Sequence, residues 1–333
     1  MSAAPARRAS LIGAPTDVGA SDRGSSMGPE ALRVAGLHGA LERCGVQVVD
    51  CGNLSGPPNP GSSPVVDGYR HLKEVTAWNR EVYAAVYREL GGGRLPVLLG
   101  GDHSLSIGSV SAVARHCRET RRPLRVIWLD AHADFNTRDL SPSGSLHGMP
   151  VACLCGFGPA ELTQLDDEVP AIMPQWIRQI GIRSVDPGER RLVHEQQLAV
   201  FDMRYIDERG IRRAMEIALE DLHPDTHLHL SFDVDCLDPE IAPGVGTTVA
   251  GGMSYREAQL CMEMIADTGH VGSLDIMELN PALDVRNKTA VLSVELIESL
   301  FGKSTLMREP RSLLMAGRAG ESPGTIRPRV GLR

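Results

Sequence analysis

The sequence has no apolar run of about 18 residues, so no membrane-spanning helix is expected. It has no Cys-x-x-Cys pair, and its seven cysteines (Cys44, Cys51, Cys117, Cys153, Cys155, Cys236, Cys261) are odd in number. That usage argues against a disulfide framework. It points to a reducing, cytoplasmic setting in which most of them are small buried hydrophobes. Cys153 and Cys155 stand as Cys-x-Cys, but a zinc site takes about four protein ligands and no second pair is evident. Basic charge is not in excess. Lys and Arg total 34 against 42 Asp and Glu, a net charge of −8, which is the wrong sign for a nucleic-acid binder. Arg7 and Arg8 resemble a twin-arginine signal, yet the apolar run after them stops at Pro15 and no signal-peptide core follows. No repeat or charge block divides the chain.

What is present is a globular composition, 42% apolar over 333 residues, with short β-branched runs alternating with longer helical patterns. Strands are predicted at residues 11–15, 46–50, 95–99, 124–129, 176–182, 228–234 and 271–276, with a weaker candidate at 198–201. Helices are predicted near 28–43, 70–91, 104–117, 207–221, 254–267 and 287–301. Strand-then-helix alternation implies an α/β fold: a three-layer αβα domain on a mostly parallel sheet of about eight strands. Residues 53–64 and 139–144 are rich in Pro, Gly and Ser and are expected to be surface loops. One domain is expected over 1–333, its core at about 10–302. Residues 303–333 form a basic, irregular arm, either a frayed terminus or a segment packed on a neighbouring subunit.

The chemistry-bearing residues fall just past strand ends, where open parallel sheets bind ligands. Gly-Gly-Asp-His-Ser (100–104) follows the third predicted strand and puts His103 at a strand-to-helix corner. Asp-Ala-His-Ala-Asp (130–134) follows the fourth. Alternate residues of an extended segment share a face, so Asp130, His132 and Asp134 can converge. Asp-Val-Asp (233–235) closes another apolar strand with the same spacing. Any one of these acids alone is an ordinary loop carboxylate or helix cap. Four carboxylates at one sheet edge would repel strongly in a partly desolvated cleft unless cations hold them. Two divalent metals would supply that charge. A carboxylate-rich set with some imidazole favours Mn2+ over Zn2+. A metal pair sharing carboxylates would hold a bridging hydroxide, a nucleophile near neutral pH. Metal-assisted hydrolysis is therefore expected.

The same three segments, in this order, closely resemble the metal motifs of the ureohydrolase family, whose members include arginases and agmatinases. The resemblance runs from Leu11 to about Phe301. It implies two Mn2+ per subunit, one held by His103, Asp130, Asp134 and Asp233, the other by His132, Asp130, Asp233 and Asp235. It further implies a homo-oligomer, a trimer or hexamer. His147 matches the family's proton shuttle, and histidine is suited to move protons near neutral pH. Glu278, in Leu-Asp-Ile-Met-Glu (274–278), matches the carboxylate that fixes a guanidinium by planar two-point pairing. Asp134 would hydrogen-bond the hydroxide and pass its proton toward the leaving amine. Asp102 and Asp238 are expected to support neighbouring ligands or turns.

Within the family the resemblance is to the arginase branch of bacterial type, which implies L-arginine as substrate and urea and L-ornithine as products. Asn136, with Ser143 in Ser-Gly-x-x-His-Gly (143–148), is similar to the arginase loop that donates hydrogen bonds to the α-carboxylate. Asp186 matches the acid that contacts the α-amino group, and Thr247 resembles a residue lining the cleft. Turn chemistry is the competing explanation for Asn136, Ser143 and Asp186. Ser184 is a departure, standing where some members carry another Asp. Two rival readings remain: a hydrolase of agmatine or a similar guanidino-amine, and a non-catalytic metal-binding scaffold.

Overall fold

The computed structural model describes residues 7–61, 65–166 and 168–306. Its eight strands are β1 (Arg8–Ala14), β2 (Gln47–Asn53), β3 (Leu95–Gly100), β4 (Leu124–Leu129), β5 (Ile177–Ile182), β6 (Ala199–Asp202), β7 (His227–Asp233) and β8 (Val271–Met277). They form one sheet in the order β2-β1-β3-β8-β7-β4-β5-β6, and every pairing is parallel. All eight predicted strands are present, the weak candidate at 198–201 included.

Both faces of the sheet are covered, as parallel sheets require. Alternate residues of a strand go to different cores. Ala9 and Leu11 of β1, Val97 and Leu99 of β3, and Ile127 and Leu129 of β4 pack on one side. Ile12 and Ala14, Leu98, and Val126 and Trp128 pack on the other. The first core is closed by helices that include Tyr255–Thr268 and Lys288–Leu300, the second by Leu72–Gly91 and Ser106–Thr120. No helix among the described residues is long and apolar enough to cross a membrane.

Two helical expectations are corrected and one helix is added. The segment 28–43 is two helices, Gly28–Val34 and Leu37–Arg43, because Gly36 between them takes φ 86°. The segment 207–221 is likewise Met203–Arg209 and Ile211–Ala218, parted by Gly210 at φ 81°. A helix at Pro187–Glu195 was not anticipated. Its start carries Asp at the cap, Pro at the first position and Glu at the third, a recognised opening. The basic arm beyond residue 306 lies outside the described residues.

The strand order decides where the site forms. β3 and β4 are consecutive strands in the chain, yet β8 and β7 lie between them in the sheet. The chain therefore leaves the carboxyl edge in diverging directions around this region, which opens a crevice there. The segments that follow β3, β8, β7, β4 and β5 all border it.

Candidate active site

The acids and histidines of the cluster sit at a strand end or within five positions beyond one. His103 opens a short 3-10 turn, His103–Leu105, whose cap is Asp102. Asp130, His132 and Asp134 follow β4, Asp233 ends β7, and Asp235 lies in the turn Val234–Cys236. Glu278 follows β8. Asp134 and Glu278 both take positive φ, 52° and 62°, a conformation that costs a non-glycine residue free energy and that clusters at functional sites. The backbone around them holds the strain. The Asp134 carbonyl accepts from the N–H groups of Val151 and Ala152, and the Glu278 N–H donates to the Gly101 carbonyl.

The acids converge in two groups. Nδ1 of His103 lies 2.9 Å from Asp233 Oδ2, 3.2 Å from Asp130 Oδ2 and 3.2 Å from Asp134 Oδ2. Nδ1 of His132 lies 3.0 Å from Asp235 Oδ2 and 3.5 Å from Asp130 Oδ1. Asp130 thus turns one oxygen to each group. Two sets of side chains, His103–Asp130–Asp134 and Asp130–His132–Asp235, present their ligand atoms closely enough to hold a cation each. Asp233 adjoins the first set. Its Oδ1 accepts the Asp235 N–H at 2.8 Å.

Electrostatics show that these groups are not at rest by themselves. Burial, joined by the charges of Asp130 and Asp233, drives the Asp134 carboxyl well above its usual range. Burial with Asp235 and Asp130 does the same to Asp233, and burial with Asp130 raises Asp235. Burial disfavours the His103 cation, yet Asp130 and Asp134 outweigh it and lift the imidazole to about 9. His132 rises to about 12 because Asp235 and Asp130 outweigh its burial. Asp134 Oδ2 is buried without a hydrogen-bond donor. An oxygen-rich set with two imidazoles, two convergent centres and an orphaned carboxylate oxygen fits hard divalent cations.

Support comes from residues that the sequence did not single out. The Trp128 ring stacks on His103 (centroids 4.3 Å apart, planes at 8°) and its Nε1 donates to Asp130 Oδ2 at 2.8 Å. Nε2 of His103 meets Ser231 Oγ at 2.8 Å, which leaves Nδ1 facing the acids. Arg183 donates to the carbonyls of Asp235, Leu237 and Val249 and so ties down the loop after β7. Ser231 opens the motif segment Ser-Phe-Asp-Val-Asp (231–235), but no linear signal gave it, Trp128 or Arg183 these contacts.

The cleft is narrow, about 120 Å3, and is lined by His103, His132, Asp134, Asn136, His147, Gly148, Ser184, Asp186, Glu189, Asp233, Asp235, Thr247 and Glu278. His147 Nδ1 lies 3.0 Å from Glu278 Oε1, and the same oxygen accepts the His103 N–H at 2.9 Å. Burial would raise Glu278, but His147 outweighs it and holds the carboxyl below its usual range. Asn136 Nδ2 donates to Asp186 Oδ2 at 3.1 Å. Glu189 accepts from the N–H groups of Phe135 and Asp186, and burial pushes it up to about 7. It therefore pins the Asn136 loop to the start of helix Pro187–Glu195. Ser143 does not line the cleft. Its Oγ accepts the Ser145 N–H in a turn beside it. Asp102 is buried and accepts from Gly19 and Ser104 N–H groups, whereas Asp238 caps an outer turn through Glu240, Gly251 and Gly252.

Comparison with known proteins follows the same outline. The arginase family model matches residues 7–302. The chain belongs to the arginase family. It is 43% identical over 299 residues to the arginase of Bacillus caldovelox, spanning 89% of this chain and 99% of that one. It is 44% identical to that of Agrobacterium fabrum, spanning 90% and 92%. Among solved structures, the native Bacillus caldovelox arginase superimposes with a TM-score of 0.85 at 42% identity, over 90% of this chain and all of that one. The Entamoeba histolytica arginase in complex with L-ornithine gives 0.81 at 31%, over 89% and 99%. This arginase-family member is thus a hydrolase, and the family's metal dependence fits its paired acid clusters.

Two outcomes are expected. Ser231→Ala frees the His103 ring and should weaken Mn2+ binding about 10- to 100-fold with the fold intact, as read by activity in metal-buffered solutions; unchanged affinity would remove Ser231 from the site. Second, the metal-free protein should lose stability as pH rises. His103 is raised from 6.5 to about 9, so its contribution is full below pH 6.5 and lost through pH 9, and the raised Asp134 and Asp233 penalise the same alkaline side. The Tm of metal-free protein should fall between pH 6.5 and 9 while that of Mn2+-loaded protein stays level; parallel curves would contradict the reading.

Proposed function

We propose that the chain is a two-manganese arginase that hydrolyses L-arginine to L-ornithine and urea. The observation that carries the substrate assignment is the pairing of Asn136 with Asp186 in the wall of the cleft that holds the acids. A carboxamide donor beside a carboxylate acceptor suits a zwitterionic α-amino-acid head, with Asn136 toward the carboxylate, Ser143 reaching it through water from its turn outside the cleft wall, and Asp186 toward the ammonium. Agmatine has no carboxylate to use such donors. The seven unpaired cysteines support a reducing, cytoplasmic setting.

His103, Asp130, Asp134 and Asp233 would hold one Mn2+, and His132, Asp130, Asp233 and Asp235 the other. When bound, the pair supplies an ionised water near neutral pH and neutralises the acids. Glu278 would pair with the guanidinium in place of His147 and present its carbon for attack. Thr247 borders the path of the side chain. Asp134 Oδ2, which no donor engages, is the atom suited to take the proton from the attacking water and pass it to the departing ornithine nitrogen. The C–N bond to ornithine then breaks and urea leaves. His147 would carry to solvent the other proton, the one released when the water ionises; its imidazole is raised because the Glu278 hydrogen bond outweighs burial.

Urea release by Mn2+-loaded protein should strongly favour L-arginine over agmatine at equal concentration. Preference for agmatine would overturn the substrate and leave the site chemistry standing, whereas inactivity on both with two metals bound would overturn the function. His147→Asn should lower kcat by about 100-fold with metal content unchanged and partial rescue by imidazole; full turnover would show that His147 moves no proton.

A further inference from the structure

At the far end of the sheet from the acid cluster, the amino ends of β1, β3, β7 and β8 border a second cavity. It measures about 400 Å3 and is lined by Arg7, Arg8, Arg94, Arg122, His116 and His227 over an apolar wall of Leu90, Leu95 and Val271. No carboxylate lines it. Four arginines among the lining residues, with no carboxylate beside them, make the hollow a favourable place for an anion. Glu89 feels the charge of Arg94, and Glu119 acts on His116, but Glu89 is already engaged by Ser10 Oγ at 2.7 Å and Arg88 Nε at 3.0 Å, and Glu119 by Arg115 Nε at 2.8 Å and the Tyr87 hydroxyl at 2.6 Å. The side chains of Arg7 and Arg94 form no hydrogen bond or ion pair with a described residue. Arg8 and Arg122 reach only backbone carbonyls, those of Gly92 and Gly93 and of Asp225 and Thr226.

The floor is built rather than merely open. His227 is 1% exposed, and its Nδ1 has no hydrogen-bond partner, while its Nε2 meets Ser273 Oγ at 2.8 Å. Gly272 covers this ring, and a Cβ there would fall 2.4 Å from it. Glycine therefore lets the imidazole pack directly against the backbone of β8 at the floor.

We propose that this cavity is a binding site for a small oxyanion-bearing metabolite, its charged group held by the Arg94 and Arg122 forks and its body laid on Leu90, Leu95 and Val271. Guanidinium forks match the oxygens of phosphate and carboxylate alike. The volume falls within the range of small-molecule sites, about 300–1,000 Å3, and exceeds what a bare ion fills. The site lies about 20 Å from the acid cluster, the length of a seven-residue strand, so it is separate from the hydrolytic cleft.

The test is calorimetric titration of Mn2+-loaded protein at fixed ionic strength with two probes, inorganic sulfate for the tetrahedral class and succinate for the dicarboxylate class. One or the other should bind saturably, one per chain, and the stronger names the class. Arg94→Gln with Arg122→Gln should weaken that binding at least tenfold. Arg94→Gln alone, whose loss breaks no hydrogen bond, guards against a misfolded double variant and should weaken it at least threefold. No saturable binding of either probe, or binding that survives in both variants, overturns the proposal.

Discussion

Four carboxylates share one buried corner of this protein, and their mutual repulsion is the constraint around which the rest is arranged. Two unit charges about 4 Å apart repel by about 4 kcal/mol at an effective dielectric of 20. The pairs among Asp130, Asp134, Asp233 and Asp235 would together reach the order of 20 kcal/mol, more than the net stability of about 5–15 kcal/mol typical of a domain. The chain answers with what it has. His103 and His132 lie against the acids, and the N–H groups of His132 and Ala131 donate to Asp130 and Asp235. These donors do not suffice, since Asp134 and Asp233 remain displaced far toward the protonated form. The corner is shaped for cations that the polypeptide itself does not supply.

The parallel sheet makes such a corner possible. Each helix returns antiparallel to its strand, so helix amino ends, with their partial positive charge, collect at the carboxyl edge of the sheet. Asp102 and Asp186 cap helical starts there. Helix carboxyl ends collect at the other edge, and the basic residues follow them. Arg122 comes just after helix Ser106–Thr120, and Arg94 just after Leu72–Gly91. The two cavities therefore have opposite electrostatic character for the same reason, and the segregation of charge is a consequence of strand direction.

The strands and the acid segments were legible in the sequence because both depend on local pattern. A strand buried on both faces is a continuous apolar run, and an acid repeated every second residue after such a run faces one way. Pairing across strands is not local. Nothing in the linear sequence says that Ser231 of β7 meets His103 after β3, or that Trp128 stacks on that ring. Glu189 was within reach, since Asp186-Pro-Gly-Glu spells a helix start, but its contact with the Phe135 N–H is a tertiary event. The breaks at Gly36 and Gly210 were missed because an apolar period continues through them while the backbone turns to positive φ. Ser143 shows the converse: its motif is plain, but that its Oγ accepts a turn N–H outside the cleft lining is a matter of tertiary placement.

A last feature joins the two ends of the sheet. Asp275 of β8 is 1% exposed and accepts from Ser106 Oγ at 2.9 Å and Ser109 Oγ at 2.6 Å, with His229 Nε2 3.3 Å away. His229 Nδ1 and His227 Nε2 share Ser273 Oγ at 2.8 Å each, and Ser231 continues the series to His103. A core of apolar residues would avoid the desolvation that these groups suffer. Their arrangement does something apolar packing does not, because the hydrogen bonds run between β7, β8 and the helix Ser106–Thr120 and form in one register only. Sliding β8 by one residue would turn Asp275 to the opposite face, strand Ser106 and Ser109, and carry Glu278 away from the His103 N–H. The buried polar series thus makes the alignment of β8 with its neighbours, and with it the position of Glu278 beside the acids, a property of the core rather than of the loops.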